Sequence, residues 1–423
     1  MNKFYKTIQE FFNDKSLKSN SLLIGGLPLI IFLILCSINI NLGRNITSFG
    51  KDFAISNFGS IWLLLVIGVC LVAFFLGFSP LGSIKIGGQD AEPKLKFFDW
   101  CAVLICTLLA GGGVFWSAAE PLIHFLSPAS YFSTFTGGTS EAVDPSMAVS
   151  FLHWGFLAWS LVATTATITF SLLSQNGFPL RPRSLLIPIF PKSIVDGLLG
   201  DLSDGLSVVA AIAGTVGPLG FLSLQLSNAA GKLPFLSDNA LLQSFIVIVL
   251  TLIFTISTIS GIQKGIKLLS EINIWLTIIL GVLLFLIGPT IWLSQHFLSS
   301  NLLYLTNLKE MALPSFNDSW VKGWTVFYWA WFLGYAPLMG LFTAGVSRGR
   351  TFRELILVVC IICPFVTNLW FTLLGGNGIY IELNNSGLIS KELSSGGAAG
   401  VLFSILSQLP LSFILISISI FLI

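Results

Sequence analysis

Residues Trp320–Thr351, WVKGWTVFYWAWFLGYAPLMGLFTAGVSRGRT, decide how the rest of the chain is read. Four of the protein's 12 Trp residues, at 320, 324, 329 and 331, fall here. Trp324, Tyr328, Trp331 and Tyr335 recur at spacings of four, three and four, which puts them on one face of a helix. Phe332 sits beside that stripe. Gly334 and Pro337 follow and are expected to weaken or break the helix. Arg348, Arg350 and Arg353 come next. An interfacial belt of Trp and Tyr gathers at the ends of a membrane helix. This stripe runs from near the start into the middle, so it reads as a ligand site at a helix break.

Working outward, the chain is 54% hydrophobic and 9% charged. Soluble domains carry about 25% charged residues, so the composition describes an all-α integral membrane protein embedded in a lipid bilayer. The formal net charge of +2 comes from dispersed basic residues and argues against a nucleic-acid partner. All six Cys residues (36, 70, 101, 106, 360 and 363) lie in apolar runs, without disulfide or zinc spacing, and read as small hydrophobes. Residues 1–20 carry Asp and Glu as well as Lys and lack the pattern of a cleaved signal.

Apolar runs near 21–42, 60–80, 98–126, 147–173, 204–228, 241–260, 270–295, 323–346, 354–376 and 399–423 give about ten transmembrane helices. Alternate loops hold 15 Lys and Arg residues against 5 in the opposite set. That bias places the N-terminus in the cytoplasm of a multi-pass protein of the cell membrane. The run at 399–423 stops while still apolar. A helix end in hydrocarbon leaves carbonyls unsatisfied, so the chain is expected to be incomplete there.

Polar and flexible groups inside these runs are the candidate functional residues. Gly111, Gly112 and Gly113 free the backbone of the third run to unwind or to let a ligand approach. No Lys-Ser/Thr follows them, which excludes a phosphate loop. Glu120 is open between a structural anchor and a functional group. His153 in the fourth run reads as a hydrogen-bonded packing residue, since no second ligand stands at i+3 or i+4. With no nucleophile or metal set alongside Glu120 and His153, the chain reads as not an enzyme. Small residues of the fifth run, Gly214, Thr215, Gly217 and Gly220, suit close helix packing, and Thr with freed carbonyls can hold an ion.

Several stretches together resemble the betaine–choline–carnitine transporter family. They are GSIKIGGQDAEP (82–93), FWSAAEP (115–121), HWGFLAW (153–159), LSDGLSVVAAIAGTVGPLGFLSLQ (202–225), SGIQKGIKLLSEIN (260–273), WTVFYWAWFLGYAPLMGLFTAGVSRGRTFRE (324–354) and VLFSILSQLPL (401–411). The resemblance implies a leucine-transporter-type inverted repeat and assembly as a homotrimer. Residues 1–20 would be a short cytoplasmic N-terminus and 21–97 two peripheral helices. The first five-helix repeat would span 98–300, and 301–423 the second repeat, incomplete in its third helix.

The function implied is ion-coupled symport, by alternating access, of a quaternary ammonium osmolyte such as glycine betaine, carnitine or choline, which would serve osmoprotection. The alternative is a truncated, non-transporting or regulatory member of the same family. By the resemblance, the substrate box comprises Trp154, Trp159, Trp331, Phe332 and Tyr335, with Gly111, Gly112 and Gly113 meeting the substrate carboxylate. Aromatic faces suit a cation that cannot donate a hydrogen bond. Thr215 and Met339 are the implied ion-site positions: Thr215 matches a Thr that lines a sodium site, whereas Met339 stands where sodium-independent members carry a Met whose side chain can replace the ion, and the reading is a sodium symporter that needs no other cofactor. Val162, Phe332, Tyr335 and Ala211 depart from residues common in the family.

Overall fold

The computed structural model describes residues 19–231, 236–260 and 265–423, apart from Gly111 and the side chains of Ser19, Leu22, Leu108 and Ala110. Most of the expected cytoplasmic N-terminus, 1–20, therefore lies outside the described residues. Helices dominate the remainder, and one isolated antiparallel bridge joins Lys85 to Thr351. Among the described residues, seven helical stretches are long and apolar enough to cross a membrane, and a bent stretch makes an eighth. Shorter apolar helices account for the first and last of the ten runs. All ten runs are thus helical, as the hydropathy pattern requires.

In chain order, α1 (Ser19–Ile38) and α2 (Ile40–Phe78) meet at Asn39, whose side chain accepts the Asn41 backbone N–H at the start of α2. α3 (Phe97–Leu126) is bent by 62° between Phe97–Thr107 and Gly112–Leu126, where the glycines were expected to loosen it. The fourth run is three helices, α4 (Val143–Trp154), α5 (Phe156–Ala163) and α6 (Thr165–Gln175). α7 (Leu198–Ala230), α8 (Ala240–Ile259) and α9 (Lys267–Ile287) follow. The chain continues through α10 (Thr290–Thr306), α11 (Phe327–Val346), α12 (Phe352–Asn384), α13 (Ala398–Ser407) and α14 (Ser412–Leu422).

Several boundaries correct the hydropathy reading. α2 begins 20 residues earlier than its apolar run, because the polar segment Asn41–Asp52 is helical too. The run at 270–295 ends as a helix at Gly288-Pro289, and a new helix, α10, carries the chain on to Thr306, since proline is tolerated at a helix start but not in a helix interior. Helix also extends through 375–384, beyond the apolar run at 354–376. The most informative difference lies in α11, which runs unbroken through Gly334 and Pro337. Packed neighbours and local adjustments re-satisfy the backbone around a proline inside a membrane protein. The irregular turn sits earlier, as a π-helical segment at Lys322–Val326.

Close packing explains why α11 tolerates that proline. It lies against α5, α6 and α7. A Cβ on Gly340 would stand 2.4 Å from Ala166 Cβ and 3.1 Å from the Ala166 carbonyl carbon. Thr167 Oγ1 donates to the Gly340 carbonyl at 3.3 Å across the same contact. Gly340→Val is therefore expected to destabilise the fold by about 1–3 kcal/mol through overpacking. A lower unfolding midpoint in detergent, measured beside wild type, checks this, and an unchanged midpoint would contradict it.

Two apolar cores result. One joins the second half of α3 to α4, α11 and α12; the other surrounds Trp100, Trp159 and Phe352. All six Cys residues are free thiols, in keeping with their reading as small hydrophobes.

Candidate functional site

Three elements build the site: the half of α3 beyond its bend, the end of α4, and the aromatic face of α11. The stripe expected from spacing is continuous. Trp320 stacks on Trp324 at 6.4 Å between ring centroids, and Trp324 on Tyr328 at 6.3 Å. Tyr328 lies 6.1 Å from Trp331, which stacks on Phe332 at 5.4 Å. Trp154, the last residue of α4, meets this face edge-on, 6.1 Å from Trp331 and 5.7 Å from Phe332.

Gly112 closes the third side. A Cβ there would lie 3.0 Å from Trp331 Cη2 and 3.2 Å from Trp154 Cη2, so the bare backbone of α3 faces both rings. Gly214 of α7 likewise abuts the Tyr335 ring. The cavity between Gly112, Trp154, Gly214, Trp331, Phe332 and Tyr335 is about 20 Å³, room for roughly one water molecule. The aromatic gap is closed, and a larger ligand requires the rings to part. A wider cavity of about 250 Å³ adjoins it past Tyr335 and Gly214, with Thr215, Asn273 and Thr277 on its wall.

The box residues are not all in one place. Trp154, Trp331, Phe332, Tyr335 and Gly112 converge on the gap. Trp159 lies on the other side of Trp154, where it lines a second cavity with Val162 and Phe332, and its indole donates to Thr367 Oγ1 at 3.1 Å. Gly113 packs on Leu109 of its own helix, and Gly111 lies outside the described residues. Thr215 Oγ1 donates to the Ala211 carbonyl at 2.7 Å, within its own helix. Met339 is buried in the main core.

The largest addition to the sequence reading is at Glu120. It is fully buried at 0% exposure. Its Oε2 accepts the Trp154 indole N–H at 2.7 Å and the Tyr328 hydroxyl at 2.6 Å. Its Oε1 lies 2.7 Å from His153 Nδ1, while His153 Nε2 lies 3.0 Å from Thr325 Oγ1. His153 is thus a hydrogen-bonded residue, as read, but its partner is the carboxylate from which the sequence separated it. The signal available was the i, i+4 pair Glu120 and His124, which shares one helix face.

Glu120, His124 and His153 offer ligand atoms within 4.8 Å of one another, the one such cluster found among the described residues. His124 Nε2 approaches Glu120 Oε1 at 3.4 Å without hydrogen-bond geometry. Both oxygens of Glu120 already have polar partners at 2.6–2.7 Å. A metal would have to displace them, so the geometry favours the hydrogen-bonded network.

Comparison of the sequence with known proteins points to one family. Residues 22–423 match the family model described as BCCT, betaine/carnitine/choline family transporter. Glycine betaine transporter 2 of Vibrio parahaemolyticus is 39% identical over 394 residues, covering 93% of this chain and 72% of that protein. The glycine betaine transporter OpuD of Bacillus subtilis is 31% identical, covering 88% of this chain and 72% of the relative. An ectoine/hydroxyectoine transporter of Virgibacillus pantothenticus is 32% identical over 88% of this chain and 74% of its own. These relatives are transporters, which favours transport over a non-transporting or regulatory role. The chain belongs to the betaine/carnitine/choline transporter family.

Proposed function

We propose that the protein carries a betaine-type quaternary ammonium osmolyte across the cell membrane, with glycine betaine first among the candidates. The observation that carries the reading is the meeting of Trp154, Trp331, Phe332 and Tyr335 over the bare backbone of Gly112. A methylated ammonium has no hydrogen to donate. Aromatic faces attract it by about 0.5–2 kcal/mol per ring, depending on desolvation. Gly112, with Gly111 and Gly113 beside it, offers backbone N–H groups to the substrate carboxylate at the bend of α3. Trp159 backs Trp154 from the neighbouring cavity.

The closed gap and the adjoining 250 Å³ cavity suit alternating access, in which the rings part toward one side at a time. In this reading 98–300 and 301–423 supply the two repeats, and 21–97 supplies the peripheral helices. Thr215 is assigned to sodium coupling and Met339 to the neighbouring ion-site position, the protein assembles as a trimer, and the N-terminus faces the cytoplasm.

The test is uptake of labelled glycine betaine by cells that lack other betaine carriers and express the gene. Saturable uptake, lost when external sodium is replaced by potassium and competed by carnitine or choline, is expected. Competition by ectoine alone would move the substrate class. Uptake no greater than in cells carrying an empty vector would overturn the proposal.

A further inference from the structure

We propose that Glu120 is a positioning residue for the aromatic site, holding Trp154 and Tyr328 in the attitude that lets the gap recognise a cationic headgroup. This rests on the proposed transport of a quaternary ammonium compound. Glu120 lines none of the three cavities at the gap. It acts through the residues that it grips.

The geometry has two parts. Trp154 meets Tyr328, Trp331 and Phe332 edge-on, at interplanar angles of 73°, 87° and 77°. Edge contacts of this kind are worth only about 0.5–1.5 kcal/mol and tolerate sliding. The indole N–H is the side chain's one polar group, and its bond to Glu120 Oε2 fixes how the ring is turned. Tyr328 uses the same oxygen, so one acceptor sets two rings on two helices. Behind them, His153 joins Oε1 to Thr325, which belongs to the irregular turn just before α11. The chain of contacts thus runs from that turn through α4 and α3 and back to α11. It spans the elements that must part for a ligand to enter.

Cation–π attraction depends on presenting a ring face to the cation, whereas contact with an uncharged tert-butyl group is much less directional. Misaligned rings should therefore weaken recognition of the trimethylammonium group more than that of its carbon analogue. A clamp that only held the helices together would affect both equally.

The experiment compares the KM for glycine betaine with the inhibition constant of 3,3-dimethylbutanoate, its neutral-headgroup isostere, in wild type and variants. Glu120→Leu removes both acceptors and is expected to reduce the preference for glycine betaine about tenfold, as for one lost hydrogen bond to a charged group. Glu120→Gln keeps an acceptor for Trp154 and Tyr328 and should restore the preference to within about threefold of wild type. Tyr328→Phe keeps the ring and should lower it by roughly threefold. Added to Glu120→Leu, it should cost little more, because both act on one network.

If Glu120→Leu does not fold, Tyr328→Phe and Glu120→Gln carry the comparison. An unchanged preference in Tyr328→Phe or in folded Glu120→Leu, with uptake scaling only with folded protein, would overturn the proposal while leaving transport intact. Wild-type protein that takes up no trimethylammonium compound would overturn the transport reading and this inference together.

Discussion

Trp331→Ala should raise the KM for a quaternary ammonium substrate by about 30-fold, the equivalent of roughly 2 kcal/mol of cation–π attraction in a desolvated site. Trp331 forms one aromatic wall of the gap. It stacks on Phe332 at 5.4 Å, meets Trp154 edge-on at 6.1 Å and faces Gly112. Alanine removes one aromatic wall and opens the gap toward α3, leaving Phe332 without its stacking partner. Trp331→Phe keeps a smaller face and should raise KM by only about fivefold. The measurement is concentration-dependent uptake, normalised to protein that elutes as a single folded species in detergent. Unchanged KM in Trp331→Ala would remove this face of α11 from the substrate site, whatever the substrate is.

Arg183→Met is expected to have the largest effect on stability. Arg183 is 4% exposed in the connection between α6 and α7. Its Nε donates to Asp204 Oδ2 at 2.7 Å, and its Nη2 to Asp201 Oδ1 at 2.5 Å and Ser21 Oγ at 3.1 Å. The Arg183 backbone N–H donates to Asp204 Oδ1 at 2.9 Å, and Arg181 reaches Asp204 Oδ2 at 2.7 Å. This cluster ties the start of α1 to the first turns of α7 and to the connection before it. Asp201 lies in the first turn of α7, where a negative charge also meets the positive end of the helix dipole.

Methionine has a similar length but no charge, so Asp201 and Asp204 both lose the Arg183 guanidinium, while Asp204 keeps Arg181 and Asp201 keeps Asn20 and Ser21. Removing one member of a buried ion pair costs about 3–5 kcal/mol when the other charge is left unpaired, and the partners that remain put Arg183→Met near the lower end of that range. Asp204→Asn should cost less, since the amide still accepts from the Arg183 backbone. Thermal unfolding in detergent measures both. A midpoint for Arg183→Met within about one degree of wild type would mean that the cluster contributes little.

The two predictions separate what the sequence could and could not reveal. The Trp324–Tyr335 stripe was legible because helical periodicity alone puts those rings on one face, and burial only completes what spacing begins. The loosened backbone of α3 was legible for a similar local reason: consecutive glycines place few steric limits on the chain, and the bend falls beside them. Pro337 shows the limit of local rules. Its effect on α11 depends on whether α5, α6 and α7 pack closely enough to keep the helix unbroken, which the proline itself does not encode.

Glu120 shows the same limit in the polar groups. Alone in an apolar run it could anchor, relay or bind. Its role became specific only when Trp154 and Tyr328, 34 and 208 positions away, were found on one of its oxygens. Arg183 is comparable: in sequence it was one of the dispersed basic residues, and neither Asp201 nor Asp204 carried any sign of a partner.

The sequence by itself determined an all-α membrane protein, the places of its apolar runs, the family and the aromatic face, because hydrophobic periodicity and ring spacing are properties of neighbouring residues. Only the tertiary structure decided which rings share a gap, that the gap is closed, and that one buried carboxylate orients two of its neighbours. Those depend on contacts between helices far apart in the chain, where the cost of an unpaired polar group selects its partner.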